Sequence, residues 1–400
     1  MQEALADDQA LLAFQIWRKE VSADFPYDDG SSWVLAVSRE GAHADRIPDA
    51  RALEDSVKLL VALVGRRDGT EAAGAARLYR ELLGPALRDL PRRVARLVIV
   101  PDGPLHRLPF EALRDSAAAP PLAARYQTSV APSAALWLRW RRAPSPRART
   151  PALVLVDPSL PFARAEGASA IEALGGGSRL LIGPEASEWR LKTTDLREYG
   201  ILHFATHAVV DEEKPERSAV LLAPGSPVED GLLQMRDVAR LTLSGQVVVL
   251  AACSSSNGPM LRGEGAMSLA RAFFEAGARA VVGGLWPLRD DEAASLVSAF
   301  YRQLARGQTV AQAMAAARLE RIGAGAPAAE WAGLTVLGDG EVAPVAAAPP
   351  GAPPARAAIG TAAPWPLAAL LAAALGATLL TYRLAARRRR AARSRGSRGR

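Results

Sequence analysis

The chain has 400 residues, 49% of them hydrophobic and 23% charged, which supplies ample apolar material for a packed core and excludes a disordered or fibrous class. The formal charge of +7 is local: residues 383–400 hold nine arginines and no acid, so the remainder sums to −2, and a basic body that would track nucleic-acid phosphates is excluded. One cysteine excludes an internal disulfide framework, and the opening Met1-Gln2-Glu3-Ala4 has no basic segment leading into an apolar core, so no signal peptide is expected.

In chain order, residues 1–30 read as a helix over Leu11, Leu12, Phe14, Ile16 and Trp17, followed by a polar loop with Asp28-Asp29-Gly30. Trp33 to Val37 is strand-like. Residues 51–65 and 71–88 repeat apolar side chains at three and four and read as helices. Arg96 to Val100 is a strand closed by the turn Pro101-Asp102-Gly103-Pro104. The Arg-, Pro- and Ser-rich stretch 141–150 marks a seam between an N-terminal α/β part, residues 1–145, and a second block, 146–342. That block opens with the strand Ala152 to Val156. Apolar runs follow at Ile201 to Ala205, Ala219 to Leu222, Val247 to Ala252 and Ala280 to Trp286. Helices are expected from Gly265 to about Ala276 and over 291–305 and 309–320, and Glu330 to Gly338 ends the block. Alternating strands and helices predict an α/β fold with a mostly parallel sheet covered on both faces. No internal repeat is visible.

Two of these runs end on chemically reactive residues. One stops at His207, the other at Cys253. If the two strands are parallel neighbours, imidazole and thiol emerge at the carboxyl edge of one sheet, where open α/β sheets place their chemistry. A thiol beside an imidazole can lose its proton to it and become a nucleophile.

The ordered motifs resemble a CHAT domain, a bacterial caspase-like peptidase module often found with tetratricopeptide repeats. They are His203-Phe204-Ala205-Thr206-His207, Leu250-Ala251-Ala252-Cys253, Gly263-Glu264-Gly265 with Leu269-Ala270-Arg271-Ala272-Phe273, Ala276-Gly277-Ala278, Gly284-Leu285-Trp286-Pro287 with Asp290, and Trp331 with Gly338-Asp339. Pro101 to Phe110 and Ala131-Pro132-Ser133 extend the likeness toward the N-terminus, so it covers about residues 10 to 342. The repeats themselves are absent from this chain. The resemblance implies a caspase-like fold with a smaller N-terminal α/β subdomain. It also implies a cysteine endopeptidase acting through a thioester acyl-enzyme, with His207 as base and Cys253 as nucleophile. The backbone amides of Ala208 and Cys253 would bind the oxyanion. Where this family usually has glycine after the histidine, Ala208 stands here, and alanine resists a positive φ. Ser255 and Ser256 replace the usual Thr and Gly. These departures leave room for a catalytically silent scaffold used in protein–protein contact. In relatives the region of Trp286 and Asp290 lines the pocket for the residue before the cut, and an acid there suits Arg or Lys by charge pairing; a helix cap by Asp290 or Asp291 is the plainer alternative.

Of the other histidines, His203 reads as a satisfied core residue, His106 as structural, and His43 as a loop residue without an evident partner. No metal set and no cofactor are expected. Gly263-Glu264-Gly265 lacks the Lys and Ser/Thr of a phosphate loop, which disfavours a nucleotide-binding domain. Six prolines between 341 and 365 place a linker at 343–365. Residues 366–382 carry no charge and lie between Trp365 and the arginines of the 383–400 tail, so a single C-terminal membrane span is expected, with a surface-lying helix as the alternative. The expected partners are a protein or peptide substrate, a membrane, and a separate activating or repeat-containing protein; nucleic acid is not among them.

Overall fold

A computed structural model describes residues 1–17, 30–144, 152–209, 211, 214–250 and 265–346. The membrane span expected at 366–382 lies outside them, as do most of the linker and the arginine tail. Among the described residues no helix is long and apolar enough to cross a membrane.

Fourteen strands are present among the described residues. The first five are β1 (Gln9–Gln15), β2 (Ser32–Ser38), β3 (Ala42–Ile47), β4 (Arg96–Val100) and β5 (Gln127–Val130). The next six are β6 (Ala152–Val156), β7 (Arg179–Ile182), β8 (Ile201–Ala205), β9 (Ala208–Val209), β10 (Ala219–Leu221) and β11 (Leu232–Gln234). The last three are β12 (Val247–Leu250), β13 (Ala280–Gly284) and β14 (Leu334–Gly338). Eleven of them form one sheet in the order β3-β2-β1-β4-β5-β14-β13-β12-β8-β6-β7, and β11-β10-β9 form a small second sheet. Only the pairs β1–β2, β2–β3 and β13–β14 are antiparallel in the large sheet, so it is mostly parallel.

Residues alternate between two cores across this sheet. On β8, Leu202 and Phe204 join the core shared with the helices Ala50–Arg66 and Gly265–Ala276. Ile201 and Ala205 face the other core, built against the helices Ala163–Leu174, Asp290–Leu304 and Val310–Gly323. Both faces are therefore covered by helices, which explains why the central strands read as unbroken apolar runs.

That same logic corrects the helix expected over residues 11–17. Gln9–Gln15 is β1, between β2 and β4, with Ala10, Leu12 and Phe14 in one core and Leu11 in a satellite cluster on the opposite face. A strand buried on both faces loses its alternation, and its apolar run then mimics helical spacing. His43 is likewise no loop residue: it lies on β3, with Nε2 3.1 Å from the Ala86 carbonyl oxygen and 3.7 Å from Asp45.

One sheet runs through both sequence blocks, and they meet where β5 joins β14 by a single register pair, Val130 with Leu337. Buried polar groups reinforce this sparse junction. Arg318 donates to Leu334 O at 2.6 Å and to Thr128 Oγ1 at 3.3 Å, and it pairs with Glu111 at 2.9 Å. The Thr128 hydroxyl in turn donates to Glu111 at 2.8 Å. Two residues of β5 and β14, Thr128 and Leu334, thus share one guanidinium.

Candidate functional site

Strands β6, β8, β12 and β13 run parallel as immediate neighbours, so their carboxyl ends form one edge. His207 stands two residues beyond β8 at that edge and is half-buried. Its backbone oxygen accepts from Leu221 N–H at 2.8 Å, which turns the chain into β9. Among the described residues its ring has no hydrogen-bond partner.

Ala208 opens β9 opposite Val220 of β10. Bonded and non-bonded pairs alternate in an antiparallel ladder, and the preceding opposed pair, His207 with Leu221, is the bonded one. Ala208 therefore points its N–H away from β10, at the outer edge of the small sheet. The positive φ that alanine was expected to resist is not required here, because Ala208 is extended strand; among the described residues Arg67 alone, apart from glycines, has a positive φ. Cys253 lies outside the described residues, three positions past Leu250, the end of β12.

Trp286 stands two residues past β13, half-buried between the two cores, its indole N–H directed at Ala329 O at 3.4 Å. Gly333 makes room for it. A Cβ on Gly333 would lie 2.8 Å from Trp286 Nε1 and 2.5 Å from Leu288 Cδ2. Asp290 is the first residue of the helix Asp290–Leu304, and the N-cap is Arg289, so Asp290 and Asp291 are both inside the helix rather than capping it. Together with Glu292 they load the first turn with acid, next to the positive end of the helix dipole.

His203 is fully buried on β8, four residues before His207, on the face of Ile201 and Ala205. Its Nδ1 lies 2.6 Å from the Tyr301 hydroxyl and its Nε2 2.8 Å from Glu166 Oε1, the latter off the line a hydrogen bond prefers. The tautomer that fits carries its proton on Nε2, toward the carboxylate, and accepts from the tyrosine at Nδ1. Burial, then the Glu166 charge, holds the Tyr301 hydroxyl well above its usual range, so it stays protonated and donates. This cluster was not anticipated from the sequence beyond His203. A signal was there: on the helix Ala163–Leu174 the buried stripe is Ala163, Glu166, Gly167, Ala170, Ile171 and Leu174, and Glu166 is its one charged member.

These features define a mixed α/β protein built on a large, mostly parallel sheet. Residues 72–339 match the CHAT domain family, and the chain belongs to it. Tetratricopeptide repeat protein 28 of Mus musculus is 26% identical over 303 residues, 62% of this chain but 12% of that protein. The Homo sapiens protein of the same name is 32% identical over 114 residues, covering 28% of this chain and 5% of its own length. The chain thus spans only a small part of the relatives it matches. Among solved structures, the Saccharomyces cerevisiae separase–securin complex aligns with a TM-score of 0.41 at 14% identity, over 65% of this chain and 17% of that one. The Arg-specific cysteine proteinase gingipain R aligns with a TM-score of 0.44 at 10% identity, over 67% of both.

Proposed function

We propose that this chain is a cysteine endopeptidase in which His207 is the base and Cys253 the nucleophile. The observation that carries the reading is the register of β8 and β12. Ile201 pairs with Val247 and Phe204 with Leu250, an offset of 46, and the same offset separates His207 from Cys253. The next strand extends the row: Leu250 pairs with Gly283, and the same offset of 33 leads from Cys253 to Trp286. Neighbouring strands lie about 4.8 Å apart, and in this reading the register continues past the strand ends, which sets His207, Cys253 and Trp286 side by side.

In the proposed mechanism His207 takes the Cys253 thiol proton, and the thiolate attacks the carbonyl carbon of a peptide bond. The Ala208 and Cys253 backbone N–H groups receive the developing oxyanion, each donor lowering the barrier by about 3–4 kcal/mol. His207 then gives its proton to the departing amine as the C–N bond breaks. A water molecule, deprotonated by His207, releases the thioester and restores the thiol. The loop from Trp286 to Asp290 receives the side chain before the cut, and the acid there favours Arg or Lys. Residues 366–382 tether the enzyme to a membrane through their uncharged run and the adjoining arginines, and a separate repeat-containing protein serves as its activating partner.

The test is the full chain incubated with peptides varying Arg, Lys, Leu and Asp before the cut. Wild type cleaves, and Cys253→Ala does not while unfolding at the same urea concentration. Cleavage by Cys253→Ala sinks the assignment. A thiol that reacts with an electrophilic peptide no faster than free cysteine identifies a scaffold instead.

A further inference from the structure

The helix Ala50–Arg66 ends on a residue in an unexpected conformation. Arg67 caps it with φ 61° and ψ 22°, the left-handed region, at a position that glycine or asparagine ordinarily fills. A side chain held there against its backbone preference points to a task for that side chain. The guanidinium of Arg67 grips Glu292 with both terminal nitrogens, Nη2 to Oε2 at 2.8 Å, across 225 residues of sequence. Glu292 is only 8% exposed, and the Arg289 Nε stands 3.5 Å from the same carboxylate. The helix behind Arg67 is itself immobilised, with Leu53, Val57, Leu60 and Val64 packed in the core.

Glu292 lies in the first turn of the helix Asp290–Leu304, directly after the loop that carries Trp286. Two residues of α-helix correspond to about 200° of rotation, so Asp290 leaves this helix on the side opposite Glu292. Whatever fixes Glu292 also fixes the rotation of the first turn and the direction of Asp290. We propose that Arg67 is a positioning residue for the substrate pocket, holding Glu292 so that Asp290 and the Trp286 loop meet the side chain before the cut. This rests on the peptidase reading above, and it makes the N-terminal strands and helices part of the specificity apparatus.

Arg67→Gly separates this role from a purely structural one, because glycine relieves the backbone strain while deleting the grip. In the full chain, Arg67→Gly is expected to melt close to wild type. Its KM for a fluorogenic peptide with Arg before the cut rises about tenfold while kcat changes less than about twofold. Backbone amides 285–296 exchange hydrogen faster than in wild type. Arg67→Lys, which keeps the charge and loses the two-pronged geometry, falls between. Should Arg67→Gly not fold, Glu292→Gln carries the same expectations from the other partner. A variant with wild-type KM and unchanged exchange at 285–296 overturns the proposal, as does a fall in kcat and melting temperature with KM unmoved. If wild type cuts no peptide, the peptidase reading fails by itself, and the exchange measurement still decides whether Arg67 anchors this turn.

Discussion

Replacing Glu111 by leucine tests the junction between the two halves of the sheet. Arg318 is 1% exposed and Glu111 2%, so neither charge has water to fall back on. Removing the carboxylate leaves a guanidinium buried with only Leu334 O and the Thr128 hydroxyl as acceptors. Breaking such a pair from one side costs about 3–5 kcal/mol, a fifth or more of the ~5–15 kcal/mol that holds a typical domain together. Arg318→Met strands the Glu111 carboxylate with Thr128 and Thr335 and costs a similar amount. The double variant Glu111→Leu/Arg318→Met buries two apolar side chains where two charges stood, and it recovers most of the loss. Urea unfolding followed by circular dichroism on all four proteins gives the coupling energy as the departure from additivity, expected at several kcal/mol. Single variants within about 1 kcal/mol of wild type, or a double variant whose loss equals the sum of the singles, refute the claim that this pair is what secures the junction.

Tyr301→Phe removes the donor to His203 Nδ1 from a fully buried site and is expected to lower stability by about 1–3 kcal/mol, read from the urea midpoint. Gly333→Ala forces a Cβ against Leu288 and Trp286; it should cost about 1–3 kcal/mol and reduce peptide kcat/KM more than it shifts the melting temperature. Hydrogen bonding from Arg96 is the main cause holding the Asp8 carboxyl below its ordinary 3.8. A depressed acid stabilises the fold above its unfolded value and loses that contribution as pH falls below it and through the lower folded value. Wild type should therefore weaken, as pH falls below about 4, more steeply than Asp8→Asn, measured as urea midpoints across that acid range.

The carboxyl edge of the parallel strands was legible in the sequence because the strands that build it are short and apolar and end two residues before His207 and two before Trp286. β1 and β8 are both buried on two faces, but β1 runs on into Ile16, four residues after Leu12, a helical interval that makes its apolar run read as a helix. The exposed alternation in β3, with only Ile47 buried, gave no apolar pattern, so that edge strand passed unnoticed. Long-range polar contacts left no local trace at all. Nothing near Arg67 announces Glu292, and nothing near Glu111 announces Arg318, since a buried charge declares itself only when its partner is in view. Glu166 is the exception, a carboxylate on an otherwise apolar helical stripe.

The placement of β14 has a consequence for biosynthesis. This strand comes last among those described yet inserts between β5 and β13, so two groups of strands wait with bare, adhesive margins until it emerges. About two hundred residues separate β5 from β14, and at a ribosome's ~5–20 residues per second that is a wait of roughly 10–40 s. During that interval the nascent chain is prone to wrong pairing with its neighbours, and a truncation just before Leu334 would make that state permanent.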